Sequence, residues 1–336
     1  MHRRISLFVN VSRSAENIAL WLVFILIVYV MINAAGGVDL ATYRDNSNLP
    51  IDEWNTYFIK EFLSWGLIKF GFKLSDLIGL RQPIVLLTIF LFIMLYVLSV
   101  GLKLDARYLP LVLVAPLSIL LAFNILRQYI AIFILLVAIL MLVNKRVFWF
   151  FFLSILSVFS HNSIFLVLIV VIICYYLNFK AVFFALISMQ ISLLVLDKLL
   201  NLNLYVSNGY NDDGSISSSI KVAFHFGYVV FLYCLFANPF GVNRGEDSDF
   251  FKKLGMGLLV FSVLIVVFPW PFWVANRFLI YVAFLYLALL LVHCDSWRVN
   301  RLRYNFFVTF LVIFNIFSVS MHGGATEMIC FQSFME

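Results

Sequence analysis

Eleven apolar stretches succeed one another along this chain, at 16–35, 83–101, 108–123, 129–144, 146–160, 163–178, 180–196, 220–237, 254–270, 277–293 and 304–321. A run of about 20 apolar residues is what a helix needs to cross hydrocarbon, where no water satisfies the backbone. The succession predicts an all-α fold, a polytopic integral membrane bundle of about 11 transmembrane helices. Composition closes the alternative: 12% of the 336 residues are charged and 64% are hydrophobic, whereas a soluble domain carries about 25% charged residues. A water-soluble fold would have no polar surface to present. Several stretches are near 15 residues, about 22 Å as helix and short for a hydrocarbon core of about 30 Å. They predict polar ends dipping into the membrane or a locally thinned bilayer.

The net charge of +6 comes from 23 Lys and Arg against 17 Asp and Glu. These charges fall in short turns, with no basic stripe or aromatic RNA-binding motif, so a nucleic-acid partner is not expected. They follow the positive-inside rule instead. With the amino end inside, the cytoplasmic turns collect Arg3, Arg4, Arg13, Lys103, Arg107, Lys145, Arg146, Lys180, Arg244, Lys252, Lys253, Arg298, Arg301 and Arg303. The opposite face keeps Arg44, Lys60, Lys69, Lys73, Arg81, Arg127, Lys198, Lys221 and Arg277, five of them in the acid-bearing loop 36–82. The basic amino end before the run 18–32 imitates a signal peptide, but the run is long for one and is read as an uncleaved first helix. Cys174, Cys234, Cys294 and Cys330 are scattered, with no CxxC, so they suggest neither a zinc site nor a disulfide framework.

The whole chain, 1–336, reads as a single transmembrane domain without internal repeats. Its long outer segments are 36–82 and 197–219, and its longest cytoplasmic connector is 238–253. Within the first, 57–72 mixes aromatic and aliphatic residues with Lys60, Glu61 and Lys69, which suits an amphipathic helix lying along the outer membrane surface. The second, with Asn208-Gly209 and Asp212-Asp213-Gly214, reads as an exposed loop.

Ionisable residues at the ends of apolar runs are costly and therefore informative. Asn124-Ile125-Leu126-Arg127-Gln128 joins two spans, and its guanidinium offers paired donors to phosphate oxygens. The plainer reading is a snorkelling Arg at a helix end. Ser160-His161-Asn162-Ser163 places an imidazole beside hydroxyls, suited to general-base work; a capped turn explains it equally well. Asn276-Arg277 opens a span after Pro269-Trp270-Pro271-Phe272-Trp273, whose tryptophans suit an interfacial anchor. Asp39, Tyr43, Arg44 and Asp45 follow the first span, where Asp39 is either a base or a solvated acid. Asp52-Glu53 could bind a divalent ion, although adjacent loop acids are usually solvated. His225 and Gln190 are buried polar positions with ordinary helix-packing explanations.

Taken in order, Gly36-Gly37-Val38-Asp39…Tyr43, Asn124-x-x-Arg127-Gln128, Phe159-Ser160-His161-Asn162-Ser163 and Asn276-Arg277…Tyr281 resemble the EpsG-like, Wzy-type polysaccharide polymerases over about residues 16–320. The resemblance implies a bacterial inner-membrane enzyme that transfers a growing glycan from undecaprenyl diphosphate onto a new lipid-linked repeat unit at the periplasmic face. It makes Arg127 and Arg277 neutralise the departing diphosphate, with His161 the first candidate base and Asp39 the second. Gln128, Tyr43, Arg44, Asn124, Ser163 and Tyr281 would contact substrate. No cofactor and no obligatory metal are implied, and no nucleotide sugar is used, so no phosphate-cradling glycine loop is needed. A chain-length co-polymerase is a conceivable partner. Rival readings are a polyprenyl-phosphate-sugar glycosyltransferase working through Asp52-Glu53, a membrane acyltransferase, and a lipid-linked oligosaccharide flippase.

Overall fold

The computed structural model of the chain describes residues 22, 38–50, 59–77, 126–200, 216–237 and 247–297. The spans read at 16–35 (apart from Leu22), 83–101, 108–123 and 304–321, together with Asn124 and Asp52-Glu53, lie outside the described residues. Among the described residues the secondary structure is entirely helical: α1 Val38–Asn48, α2 Phe62–Leu77, α3 Leu126–Val143, α4 Val147–Ser160, α5 Ile164–Tyr176, α6 Phe179–Leu200, α7 Ile216–Ala237, α8 Asp247–Val267 and α9 Phe272–Trp297. The chain forms two compact units, residues 1–133 with 300–336, and residues 134–299.

In the first unit α1 packs on α2. The face of α2 that carries Ser64, Trp65, Ile68, Gly71, Phe72 and Ser75 is buried. Lys69 donates from its ammonium to the Leu49 carbonyl, and the exposed Arg44–Asp76 pair at 3.3 Å joins the same two helices.

The second unit is organised around α8, which packs against α5, α6, α7 and α9; α9 also packs along α7. Tyr286 of α9 donates its hydroxyl to the Gly255 carbonyl of α8. A glycine allows one close crossing. Opposite α5, a Cβ built on Gly257 would collide with Cys174 Sγ. A small residue such as Gly257 lets helix backbones approach where lipid supplies no hydrophobic drive.

Helix α4 has its polarity turned inside out. Phe150, Ser154, Ser157 and Ser160 face the protein, while Phe148, Trp149, Phe151, Phe152, Ile155 and Phe159 are exposed. Such a helix would aggregate in water; against acyl chains it is at rest. Helix α6 buries Val182, Leu186 and Gln190 along one stripe and exposes Phe183, Phe184, Ile191, Val195 and Leu199. Residues 179–200 and 249–267 are each long and apolar enough to cross a membrane, and among the described residues five shorter apolar helices accompany them.

Local chemistry sets the ends. Asn178 caps α6 with its side-chain oxygen on the Ala181 N–H at 3.0 Å. Helix α3 closes in a Schellman turn: Arg146 N–H reaches Met141 O at 2.8 Å and Lys145 N–H reaches Leu142 O at 3.0 Å, with Lys145 at φ 59°.

Four boundaries differ from the sequence expectation. The outer segment 36–82 contains α1 and α2, and the helix expected at 57–72 runs from Phe62 to Leu77. Helix α7 starts at Ile216, inside the segment read as loop. The connector read at 238–253 ends early, because α8 begins at Asp247, where Asp249 pairs with Lys253 at 3.5 Å one turn on. Helix α9 begins at Phe272, so Arg277 lies in its second turn instead of opening it. Hydropathy marks the part of a helix that suits lipid, whereas the hydrogen-bond ladder continues through polar residues to its cap.

Candidate functional site

The turn between α4 and α5 gathers the chemistry of the second unit. His161 leaves α4 in an extended conformation, φ −159° and ψ 119°, with its N–H on the Ser157 carbonyl. Its own carbonyl accepts from Ile164 N–H at 3.1 Å, and the Asn162 carbonyl from Phe165 N–H at 3.1 Å, so the chain reverses within three residues. Ser163 occupies the N-cap position of α5, yet its hydroxyl makes no capping bond. It bonds instead to the Tyr281 hydroxyl at 3.0 Å. The His161 imidazole stands edge-on to the Tyr281 ring, centroids 6.4 Å apart. Both His161 and Tyr281 are buried. Arg277 precedes Tyr281 by four residues in α9 and so shares its helix face.

These groups occupy one end of the unit. At the opposite end of α5, Lys253 donates to the Leu177 carbonyl at 3.4 Å, which sets the start of α8 beside the finish of α5. The finish of α8 therefore lies toward His161, where the turn Phe268–Pro271 leads into α9. Pro271 accepts from Val274 and Ala275 N–H at 2.9 and 3.0 Å. Trp270 donates its indole N–H to Gln190 Oε1 at 3.1 Å and packs edge-on to Phe278. The bond to Gln190 ties this tryptophan to α6. His225 is buried, with Nδ1 2.9 Å from the Lys221 carbonyl one turn back in its own helix.

The first unit carries a second cluster. Arg127, in the first turn of α3, forms an ion pair with the Glu61 carboxylate. Its guanidinium carbon lies 5.0 Å from the Trp65 ring centroid and 5.9 Å from that of Tyr43. The two rings are tilted by 60° with centroids 5.6 Å apart. The pair is largely withdrawn from solvent, with the side chains 16% exposed for Arg127 and 5% for Glu61. Removing one partner of such a buried pair strands a charge, at about 3–5 kcal/mol. Gln128, next in sequence, is buried, and among the described residues neither of its amide atoms has a hydrogen-bond partner.

The model of the EpsG family matches residues 18–333. The chain belongs to the EpsG family. No curated protein and no solved structure matches it. Family membership and the apolar helices together make this EpsG-family chain a membrane protein with a role in polysaccharide biosynthesis.

The structure brings His161, Ser163 and Tyr281 together and sets Arg277 one turn away from Tyr281. It joins Arg127 and Tyr43 in the first unit, beside Gln128 in sequence. Arg44 stacks over Phe72 at 5.9 Å and pairs with Asp76 at the surface. Asp39 lies in the first turn of α1. The sequence reading placed Glu61 in an amphipathic surface helix and did not take it, or Trp65, for a site residue. The available signal was electrostatic: a cation buried among apolar residues requires an anion, and Glu61 is the one acid within the aromatic run 57–72.

Proposed function

We propose that this EpsG-family chain is a glycosyltransferase that polymerises lipid-linked oligosaccharide, of the O-antigen or exopolysaccharide type, in the bacterial inner membrane. The single observation that carries the reading is the family match across residues 18–333. The cluster of His161, Ser163, Tyr281 and Arg277 supports it, because it supplies the groups that such a transfer requires. In this reading the active end faces the periplasm, and the fold is a single transmembrane domain of about 11 spans.

The acceptor is a sugar hydroxyl at the free end of a newly delivered repeat unit. It attacks the anomeric carbon of the growing glycan, whose bond to undecaprenyl diphosphate breaks as the glycosidic bond forms. His161 takes the hydroxyl proton, and Asp39 is the second candidate for that role. Arg277 neutralises the charge gathering on the departing diphosphate. Arg127, in the first unit, is a further candidate for holding lipid diphosphate once its guanidinium is released from Glu61. The Ser163–Tyr281 hydroxyl pair accepts from and donates to sugar hydroxyls, and Gln128, Tyr43, Arg44 and Asn124 hold the glycan or lipid diphosphate elsewhere. No resident cofactor is called for, and a chain-length co-polymerase is a partner outside the chemistry.

Arg277→Ala tests the reading. The variant should stay in the membrane at normal abundance while long glycan ladders collapse to a single repeat unit on a gel. Persistent ladders would remove Arg277 from the reaction.

A further inference from the structure

We propose that the Glu61 carboxylate is the resident counter-anion of a diphosphate site built around Arg127, and that an incoming lipid diphosphate displaces it. The inference rests on the polymerase reading and deepens it, because the ion pair itself was not legible from the motif.

Three observations in the first unit carry it. The guanidinium has a carboxylate at one edge and aromatic rings at 5.0 and 5.9 Å, so it meets little water. In such surroundings anions compete for it by charge and shape, with little screening. A carboxylate and a phosphate engage guanidinium through the same paired oxygens, so Glu61 holds the position that a phosphate group can take. A diphosphate brings more than one negative charge against the single charge of Glu61, which favours exchange when substrate arrives. The buried Gln128 amide, unpartnered among the described residues, adds a donor in the same turn. The pair also explains how a buried Arg is tolerated between turnovers, since an unneutralised guanidinium there would be prohibitive.

This arrangement makes a distinctive prediction, because a displaced anion is a competitor. Purified full-length protein in nanodiscs is titrated with farnesyl diphosphate as the probe, and with inorganic pyrophosphate to separate lipid from phosphate recognition. Removing an internal competitor raises apparent affinity by the reciprocal of the fraction of time the site stood vacant, so a carboxylate in place about nine-tenths of the time masks about tenfold. Glu61→Gln should therefore bind farnesyl diphosphate about tenfold more tightly than the wild type. Arg127→Gln should weaken binding, and Glu61→Gln should bring no gain in that background. Equal or weaker binding by Glu61→Gln, or a gain that survives without Arg127, would overturn the proposal.

A second measurement needs no variant at Glu61. Probe binding should change the tryptophan fluorescence of the otherwise wild-type protein, and Trp65→Phe should remove that change; a response unaffected by Trp65→Phe contradicts the proposal. Binding that requires Arg277 but ignores Glu61 and Arg127 would sink the counter-anion while leaving the polymerase reading intact. Failure of the wild type to bind either probe would sink both.

Discussion

Ser163 and Tyr281, 118 positions apart in sequence, share a hydroxyl–hydroxyl hydrogen bond of 3.0 Å. A serine at a helix N-cap ordinarily turns its hydroxyl to the free N–H groups of the first turn. Here the hydroxyl is directed to another helix, and the first turn of α5 goes without that cap. Tyr281→Phe keeps the ring against His161 and removes only the bond. It should cost about 1 kcal/mol of stability and cut chain growth about tenfold through a hydroxyl worth about 1.4 kcal/mol in the transition state. Thermal melting in detergent and glycan ladders read the two effects separately. A stability loss without shorter ladders would make the bond purely architectural.

His161 serves both as the end cap of α4 and as the proposed base. Its cap function uses only backbone N–H and C=O, so His161→Asn should preserve the turn. Chain growth should nevertheless fall by about 10²-fold or more, the usual size of a general-base contribution. Near-normal ladders from a folded His161→Asn protein would reduce the residue to a cap.

The crossing of α5 and α8 depends on the missing side chain of Gly257. Gly257→Ala places a methyl group against Cys174 Sγ and should destabilise the protein by about 1–3 kcal/mol. Adding Cys174→Gly should restore most of that loss, since the two sites share one space. Equal melting temperatures for the wild type and Gly257→Ala would show that the helices can slide apart freely.

Lys145 holds a left-handed conformation at the end of α3, which strains an L side chain by about 1–2 kcal/mol. Lys145→Gly should raise stability by about 0.5–1 kcal/mol, the gain being trimmed by glycine's greater freedom in the unfolded chain. Differential scanning in one detergent is sufficient, and a lower melting temperature would show that the lysine side chain contributes more than its backbone costs.

Much of the helical order was legible in the sequence. The stretch 146–160 became α4 almost residue for residue, and 163–178 and 180–196 became α5 and α6. Lipid selects apolar side chains strongly, and that selection is visible without coordinates. Helix ends were less legible, as at Asp247 and Phe272, because a helix ends where its backbone finds a cap. Of the candidate cluster, His161, Ser163 and Arg277 could be named from polar residues at the ends of apolar runs, and Tyr281 from the family resemblance. The partner of Arg127 could not, since Glu61 lies 66 positions away and an ion pair leaves no periodicity. The bond from Trp270 to Gln190 was illegible for a similar reason, since it crosses 80 positions.

The central claim is that this membrane protein lengthens a lipid-linked glycan. Deleting its gene and profiling the surface glycan by gel and mass spectrometry tests this most directly. The account predicts glycans capped at one translocated repeat unit, with ladders restored by the wild-type gene and not by Arg277→Ala. Undiminished ladders in the deletion strain, or repeat units trapped on the cytoplasmic side, would contradict it.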